Sequence, residues 1–220
     1  MRGSRKAGPQ LFVTMPRKKT NFDNLNILLG VSGGVAAYKA VDLASKLTAG
    51  GAKVKTIMTE NACQLVGPKS FEAVTCSPVF TSLWANSEEY KIEGSRKAGS
   101  QHISLAEWAD IVVAAPATAN IIGKVANGIC DDLLSTILCA ATGLIKSGTA
   151  LLAPAMNDNM WENSAVQRNV KTLKQMGFKL IGPVKGRLAC GTEAIGRMSE
   201  PAEILEAIEK IASKIKKRKE

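Results

Sequence analysis

A single doubly wound α/β domain with a mostly parallel sheet is predicted by three features of the 220-residue sequence. Short apolar runs at 26–31, 111–115 and 150–153 alternate with longer stretches of helical periodicity. The first strand–helix–strand unit, 26–58, contains the long crossover that parallel pairing requires. No linker divides the chain, and its 45% of hydrophobic residues suffice for one sizeable core.

Taken in order, residues 1–22 show no apolar periodicity and read as a disordered basic leader. Order begins with the strand Asn26–Val31, which Ser32-Gly33-Gly34 breaks. A helical stripe of Val35, Ala36, Tyr38, Val41, Leu43, Ala44 and Leu47 follows and stops at Gly50-Gly51. Lys53–Met58 is the second strand. The stretch 61–101 is less regular, with a helix near Pro68–Val74 and a polar loop over 85–101. His102-Ile103-Ser104-Leu105 opens a short helix through Trp108, and Ile111–Ala115 is a strand. Pro116–Asn120 turns into a helix through Gly128. Asp131–Ala141 is a second helix, with Asp131 or Asp132 near its start, where the helix dipole favours an acid. A strand at Ala150–Ala153, a helix over Ser164–Met176 and a strand at Lys179–Ile181 follow. Residues 183–200 are Gly-rich and loop-like. Pro201 opens a final amphipathic helix carrying Ile204, Leu205, Ile208, Ile211 and Ile215. The expected domain is 23–209, followed by a basic tail, 210–220. The segment 3–10 recurs almost unchanged at 94–101, too short for a structural repeat.

The net charge of +10 is concentrated at the ends. Residues 1–20 hold six Lys/Arg and no acid, and residues 210–220 hold six more against Glu220. The body between them carries 17 basic and 18 acidic residues, so no nucleic-acid surface is expected. No run of about 20 apolar residues crosses a membrane. Five cysteines without a CxxC pair, and one histidine, argue against a metal site and for a reducing, cytoplasmic setting.

Four stretches carry chemistry. Ser32-Gly33-Gly34-Val35, between strand and helix, lets backbone amides approach an anion at a helix N-terminus. It is neither a GxGxxG fingerprint nor a Walker loop, and a tight βα connection explains it equally. Thr59 and Thr118-Ala119-Asn120 add small polar groups along the same sheet edge, which suits a mononucleotide such as FMN better than a dinucleotide. Pro154-Ala155-Met156-Asn157-Asp158-Asn159-Met160-Trp161 follows a buried strand. Asn157 is either a ligand-binding amide shielded by Met156, Met160 and Trp161, or a helix cap with the methionines filling core. The sole histidine, His102, is a general base near neutral pH or an ordinary surface or core residue. Cys190, in Gly186-Arg187-Leu188-Ala189-Cys190-Gly191, is a proton donor of lowered pKa or an inert thiol.

Gly33–Lys39, His102–Leu105, Pro116–Asn120, Pro154–Trp161 and Gly186–Gly191 occur in this order. With them, residues 26 to about 205 resemble the homo-oligomeric flavin-containing cysteine decarboxylases, in the branch that acts on 4′-phosphopantothenoylcysteine. The resemblance implies a Rossmann-like, flavodoxin-related fold. It implies FMN held by Gly33, Gly34, Val35, Thr59, Glu60, Asn61, Thr118, Ala119, Asn120 and Ala155. His102 would be the base, and Asn157 would bind the substrate carboxylate with Met160. Arg187 to Cys190 would form a flap, with Arg187 and Ala189 at the substrate and Cys190 as proton donor.

The implied reaction is thiol oxidation, CO₂ loss and re-reduction of the ene-thiol, giving 4′-phosphopantetheine for coenzyme A biosynthesis. The implied assembly is a homo-oligomer, a trimer or a multiple of trimers. Bacterial relatives are often fused to a synthetase; this chain ends too soon for that partner, so a stand-alone enzyme or an excised domain is expected. Competing expectations are a decarboxylase of peptidyl C-terminal cysteine, a non-catalytic regulator on the same fold, and a flavin reductase.

Overall fold

The computed structural model describes residues 22–84 and 100–219. Six strands form one parallel sheet: β1 (Asn26–Val31), β2 (Lys53–Met58), β3 (Val79–Phe80), β4 (Ile111–Ala117), β5 (Ala150–Pro154) and β6 (Lys179–Leu180). Their order is β3-β2-β1-β4-β5-β6, so the direction of winding reverses between β1 and β4. A separate antiparallel hairpin joins β7 (Val184–Arg187) to β8 (Glu193–Arg197).

Helices cover both faces. On one side α1 (Ala37–Ala49), α3 (Pro68–Thr75) and α10 (Pro201–Lys219) pack on Ile27, Leu29, Val31 and Val113. On the other, α4 (Gln101–Trp108), α5 (Ala119–Ala126), α6 (Leu133–Ala140) and α9 (Ser164–Met176) pack on Leu28, Val112, Ala114 and Leu152. This explains why β4 and β5 are buried at every position and read as continuous apolar runs. The short helices α2 (Glu60–Cys63), α7 (Thr142–Ser147) and α8 (Asp158–Glu162) complete the described elements.

The structure departs from the sequence reading in several places. The segment read as a Gly-rich loop contains the β7–β8 hairpin, whose exposed strands have no apolar face to announce them. The irregular stretch after β2 contains α2 and the two-residue β3, too short for periodicity to detect. α6 starts after Asp132, which caps it: its carboxylate accepts from Ser135 N at 2.8 Å, and Asp132 N donates to Ser135 Oγ at 3.2 Å. Phe22, at the end of the expected leader, is buried in the core. The rest of that leader, and the 94–101 copy apart from Ser100 and Gln101, lie outside the described residues. α10 continues through the segment read as a basic tail, and buries Ile211 and Ala212.

Candidate active site

The carboxyl ends of β1, β2, β4 and β5 open onto one cavity of about 1130 Å³. Each loop reaches it for a local reason. After β1 the chain turns sharply at Ser32-Gly33-Gly34, where Gly34 N donates to Ser32 O at 2.9 Å. Ser32 is buried; its Oγ donates to Pro116 O at 2.8 Å and accepts from Thr118 N at 3.1 Å. That bridge ties the loop after β1 to the loop after β4 across the point where the sheet reverses. A Cβ on Gly33 would meet Asn61 Cβ at 2.4 Å, so only glycine lets the loop after β2 come this close.

Thr59 and Thr118 each turn a strand into a helix. Thr59 Oγ1 accepts from Ala62 N at 3.3 Å and Thr118 Oγ1 from Ile121 N at 3.4 Å. Glu60, Asn61, Ala119 and Asn120 line the cavity beside them, with Gly33, Gly34, Val35 and Ala155. The turn of glycine backbone at the entry to α1 and the two capped helix starts face one space, an arrangement that accommodates a phosphorylated ligand. The residues expected to hold FMN all line this cavity, so the donor set and the room suit that group.

Asn157 caps a helix, one of the two expectations made for it, and also lines the cavity. Its Oδ1 caps α8, accepting from Asn159 N at 2.9 Å. Its Nδ2 donates to Cys190 Sγ at 3.5 Å. Met160 lines the cavity and is 48% exposed, whereas Met156 packs against the core as well, so the two methionines divide between site and interior.

Cys190 reaches Asn157 because of the hairpin. Leu188 N donates to Thr192 O at 2.8 Å, and Gly191 N to Leu188 O at 2.9 Å, closing a three-residue loop, Ala189–Gly191. Gly191 sits at φ +94°, where glycine is preferred. Arg187, Leu188, Ala189 and Cys190 thereby all line the cavity. Hydrogen bonds from the Thr192 side chain and backbone, with a smaller one from Asn157, hold the Cys190 thiol below the ordinary thiol range.

His102 is the exception. It stands on the first turn of α4, half-buried, with Nε2 at 3.2 Å from Ser100 Oγ. Its helix leans on α6, and the imidazole does not line the cavity of its own chain.

The sequence reading also passed over Lys124, Asp131, Asp132, Lys39 and Arg197, which line the cavity. Lys124 Nζ bridges Asp131 and Asp132, both at 2.7 Å. Burial alone opposes its charge, but the two carboxylates outweigh that and raise its pKa; Lys124 in turn depresses Asp131. Lys39 and Arg197 meet on Glu200, at 2.8 and 3.4 Å. None of these pairings has a local sequence signature, because the partners come from different elements or from a loop of unpredicted path.

The profile of the family described as Flavoprotein matches residues 15–213. The chain is 46% identical over 188 residues to the coenzyme A biosynthesis bifunctional protein CoaBC of Bacillus subtilis, covering 86% of this chain and 43% of that one. It is 42% identical over 180 residues to the Escherichia coli protein of the same name, covering 82% and 41%. The chain thus spans less than half the length of these relatives. Among solved structures, it is similar to a PPC decarboxylase with a Cys-to-Ser substitution complexed with pantothenoylaminoethenethiol. There the TM-score is 0.72 at 32% identity, covering 84% of this chain and 96% of that one. It is also similar to the FMN-binding protein AtHal3, with a TM-score of 0.67 at 32% identity, covering 87% and 95%. With that profile spanning nearly the whole described fold, this chain belongs to the flavoprotein family.

Proposed function

We propose that the chain binds FMN and decarboxylates 4′-phosphopantothenoylcysteine to 4′-phosphopantetheine, a step of coenzyme A biosynthesis. The observation that carries this reading is the single cavity that gathers the glycine turn, the two capping threonines, Asn157 and Cys190. The relatives named for coenzyme A biosynthesis and the similar PPC decarboxylase support it.

FMN, when bound, supplies reversible two-electron chemistry at the substrate's thiol-bearing carbon, which makes loss of CO₂ from the neighbouring carbon feasible. The chain's own residues do the rest. Asn157 has its oxygen committed to α8 and one amide hydrogen to Cys190, so its second amide hydrogen is the one that orients the carboxylate. Arg187 adds positive charge from the hairpin. Met160 covers the reacting end against water. Cys190 gives its proton to the substrate carbon in the closing reduction, and its depressed pKa favours that direction.

His102 serves as the base from a neighbouring copy, in a trimer or a multiple of trimers. Two observations support this: His102 stands off its own cavity, and Val35 and Tyr38 on the cavity rim are 64% and 61% exposed. The setting is the cytoplasm, in keeping with five free thiols. Among the described residues no helix is long and apolar enough to cross a membrane. The bifunctional relatives make a phosphopantothenate–cysteine synthetase the natural partner.

Mixing the FMN-loaded protein with 4′-phosphopantothenoylcysteine tests the reading. CO₂ and a product with the mass of 4′-phosphopantetheine are expected. A protein that stays colourless with FMN, or a yellow one that releases no CO₂, overturns it. Accumulation of ene-thiol by the unmodified chain would favour the peptidyl-cysteine type instead.

A further inference from the structure

We propose that Thr192 is a positioning residue for the Cys190 thiol: its hydroxyl holds the sulfur beside Asn157 and donates to it once the proton has left. This rests on the reading of Cys190 as proton donor.

Cys190 lies on a three-residue tip and is exposed, so packing does not choose its rotamer. A cysteine side chain has three staggered wells, and only directed contacts can select one. Two are present. Thr192 Oγ1 lies 3.0 Å from Sγ, and Asn157 Nδ2 lies 3.5 Å from it. The nearer partner is also the better mounted. Thr192 O is fixed by Leu188 N at 2.8 Å, in the last rung before the tip. Its β-branched side chain has few rotamers of its own. Asn157 is anchored from the other side by its cap on α8. The sulfur therefore sits between a hydroxyl carried by the hairpin and an amide carried by the main domain.

The chemistry uses both. When Cys190 acts, its S–H bond breaks, the proton goes to the substrate carbon, and the electron pair stays on sulfur. The electrons that reduce the substrate come from the flavin cofactor of the reading above, not from the thiol. The thiolate left behind accepts from the Thr192 O–H and the Asn157 N–H, and water later returns the proton. Charged groups on the surrounding elements are Lys185, Arg187, Glu193 and Arg197 on the hairpin and Asp158 and Glu162 on α8. Among the described residues none of them hydrogen-bonds the sulfur, which leaves the hydroxyl, the neighbouring backbone and the amide to set its behaviour.

The test compares the FMN-loaded chain with Thr192→Val and Thr192→Ser. Alkylation of Cys190 by iodoacetamide, mapped by mass across a pH series, reads the thiol without turnover. Ene-thiol and 4′-phosphopantetheine are quantified in parallel. Thr192→Val should move the alkylation midpoint to higher pH and raise the ene-thiol-to-product ratio about fivefold, the worth of one hydrogen bond. Thr192→Ser should restore both. Flavin absorbance and melting temperature check the fold, and Thr192→Ala replaces Thr192→Val should the latter fail to fold. An unmoved alkylation profile overturns the proposal. So does a moved profile with an unchanged ratio, provided that Cys190→Ser accumulates ene-thiol. If Cys190→Ser forms product normally, the proton-donor reading fails on its own, and the alkylation profile then decides whether Thr192 holds the sulfur.

Discussion

The carbonyl oxygen of Asn157 is committed to the helix behind it, and its amide reaches Cys190 with one hydrogen and leaves the other for the cavity. Asn157→Asp keeps the cap but replaces the donor with a second anion. It should leave stability within about 0.5 kcal/mol by urea denaturation and lower kcat/KM for decarboxylation roughly a hundredfold. His102→Asn should nearly abolish CO₂ release while the protein still binds FMN by absorbance. Cys190→Ser should release CO₂ and accumulate ene-thiol by mass. The thiols also differ in pH response. A depressed pKa means that thiolate appears at lower pH in the folded chain than in the unfolded one, and a raised pKa means the reverse. Labelling of Cys190 should therefore set in at lower pH in buffer than in urea. Labelling of Cys63, pushed up by burial, should set in at higher pH.

Among the elements, the β7–β8 hairpin is the one that brings Arg187, Leu188, Ala189 and Cys190 to the cavity. It leans on the loop after β5 through Met156 N, which donates to Gly196 O at 3.0 Å. Gly196 has φ +154°, and a Cβ there would fall 2.3 Å from Met156 O. Gly196→Ala should cost roughly 1–3 kcal/mol and part Cys190 from Asn157, seen as a Cys190 labelling profile that returns toward the unfolded one. Asp132→Ala removes both the cap of α6 and a partner of Lys124, and should lower stability by on the order of 1–2 kcal/mol in urea denaturation.

The hairpin was not legible in the sequence, although its cysteine loop was. Lys185, Arg187, Glu193 and Arg197 alternate with residues that never form an apolar stripe, so period-two reading finds nothing. β1, β4 and β5 were legible because helices cover both faces of the sheet and demand apolar runs. α7 was missed because it follows α6 at Ala141 without a breaker between them. Thr59, Thr118 and Asn157 were found as small polar residues at strand ends; the bridges of Lys124 and Lys39 were not, since they depend on tertiary path.

At the scale of the whole molecule, the described chain holds a cavity and, apart from it, an imidazole. The proposed oligomer makes a sharp prediction. Co-expressed His102→Asn and Asn157→Asp chains, each deficient alone, should regain part of the wild-type rate by pairing an intact cavity with a neighbour's intact histidine. Homogeneous assemblies mixed without subunit exchange should not. The core also sets where the chain tolerates shortening. Ile211 is 7% exposed and Ala212 fully buried, so truncation after Glu209 should lower the denaturation midpoint, with the loss of buried area worth about 2 kcal/mol or more.

The reversal of winding between β1 and β4 divides labour along the sheet. Loops from the first half, after β1 and β2, supply the glycine turn, Thr59 and Asn61; the second half adds Thr118, Asn120 and Ala155 at the ends of β4 and β5, and beyond them Asn157, Arg187 and Cys190. A lineage could thus retool what is recognised by exchanging the segment after Ala155, leaving the earlier loops as inherited equipment, and chimaeras joined directly after Ala155 are the place to see such modularity.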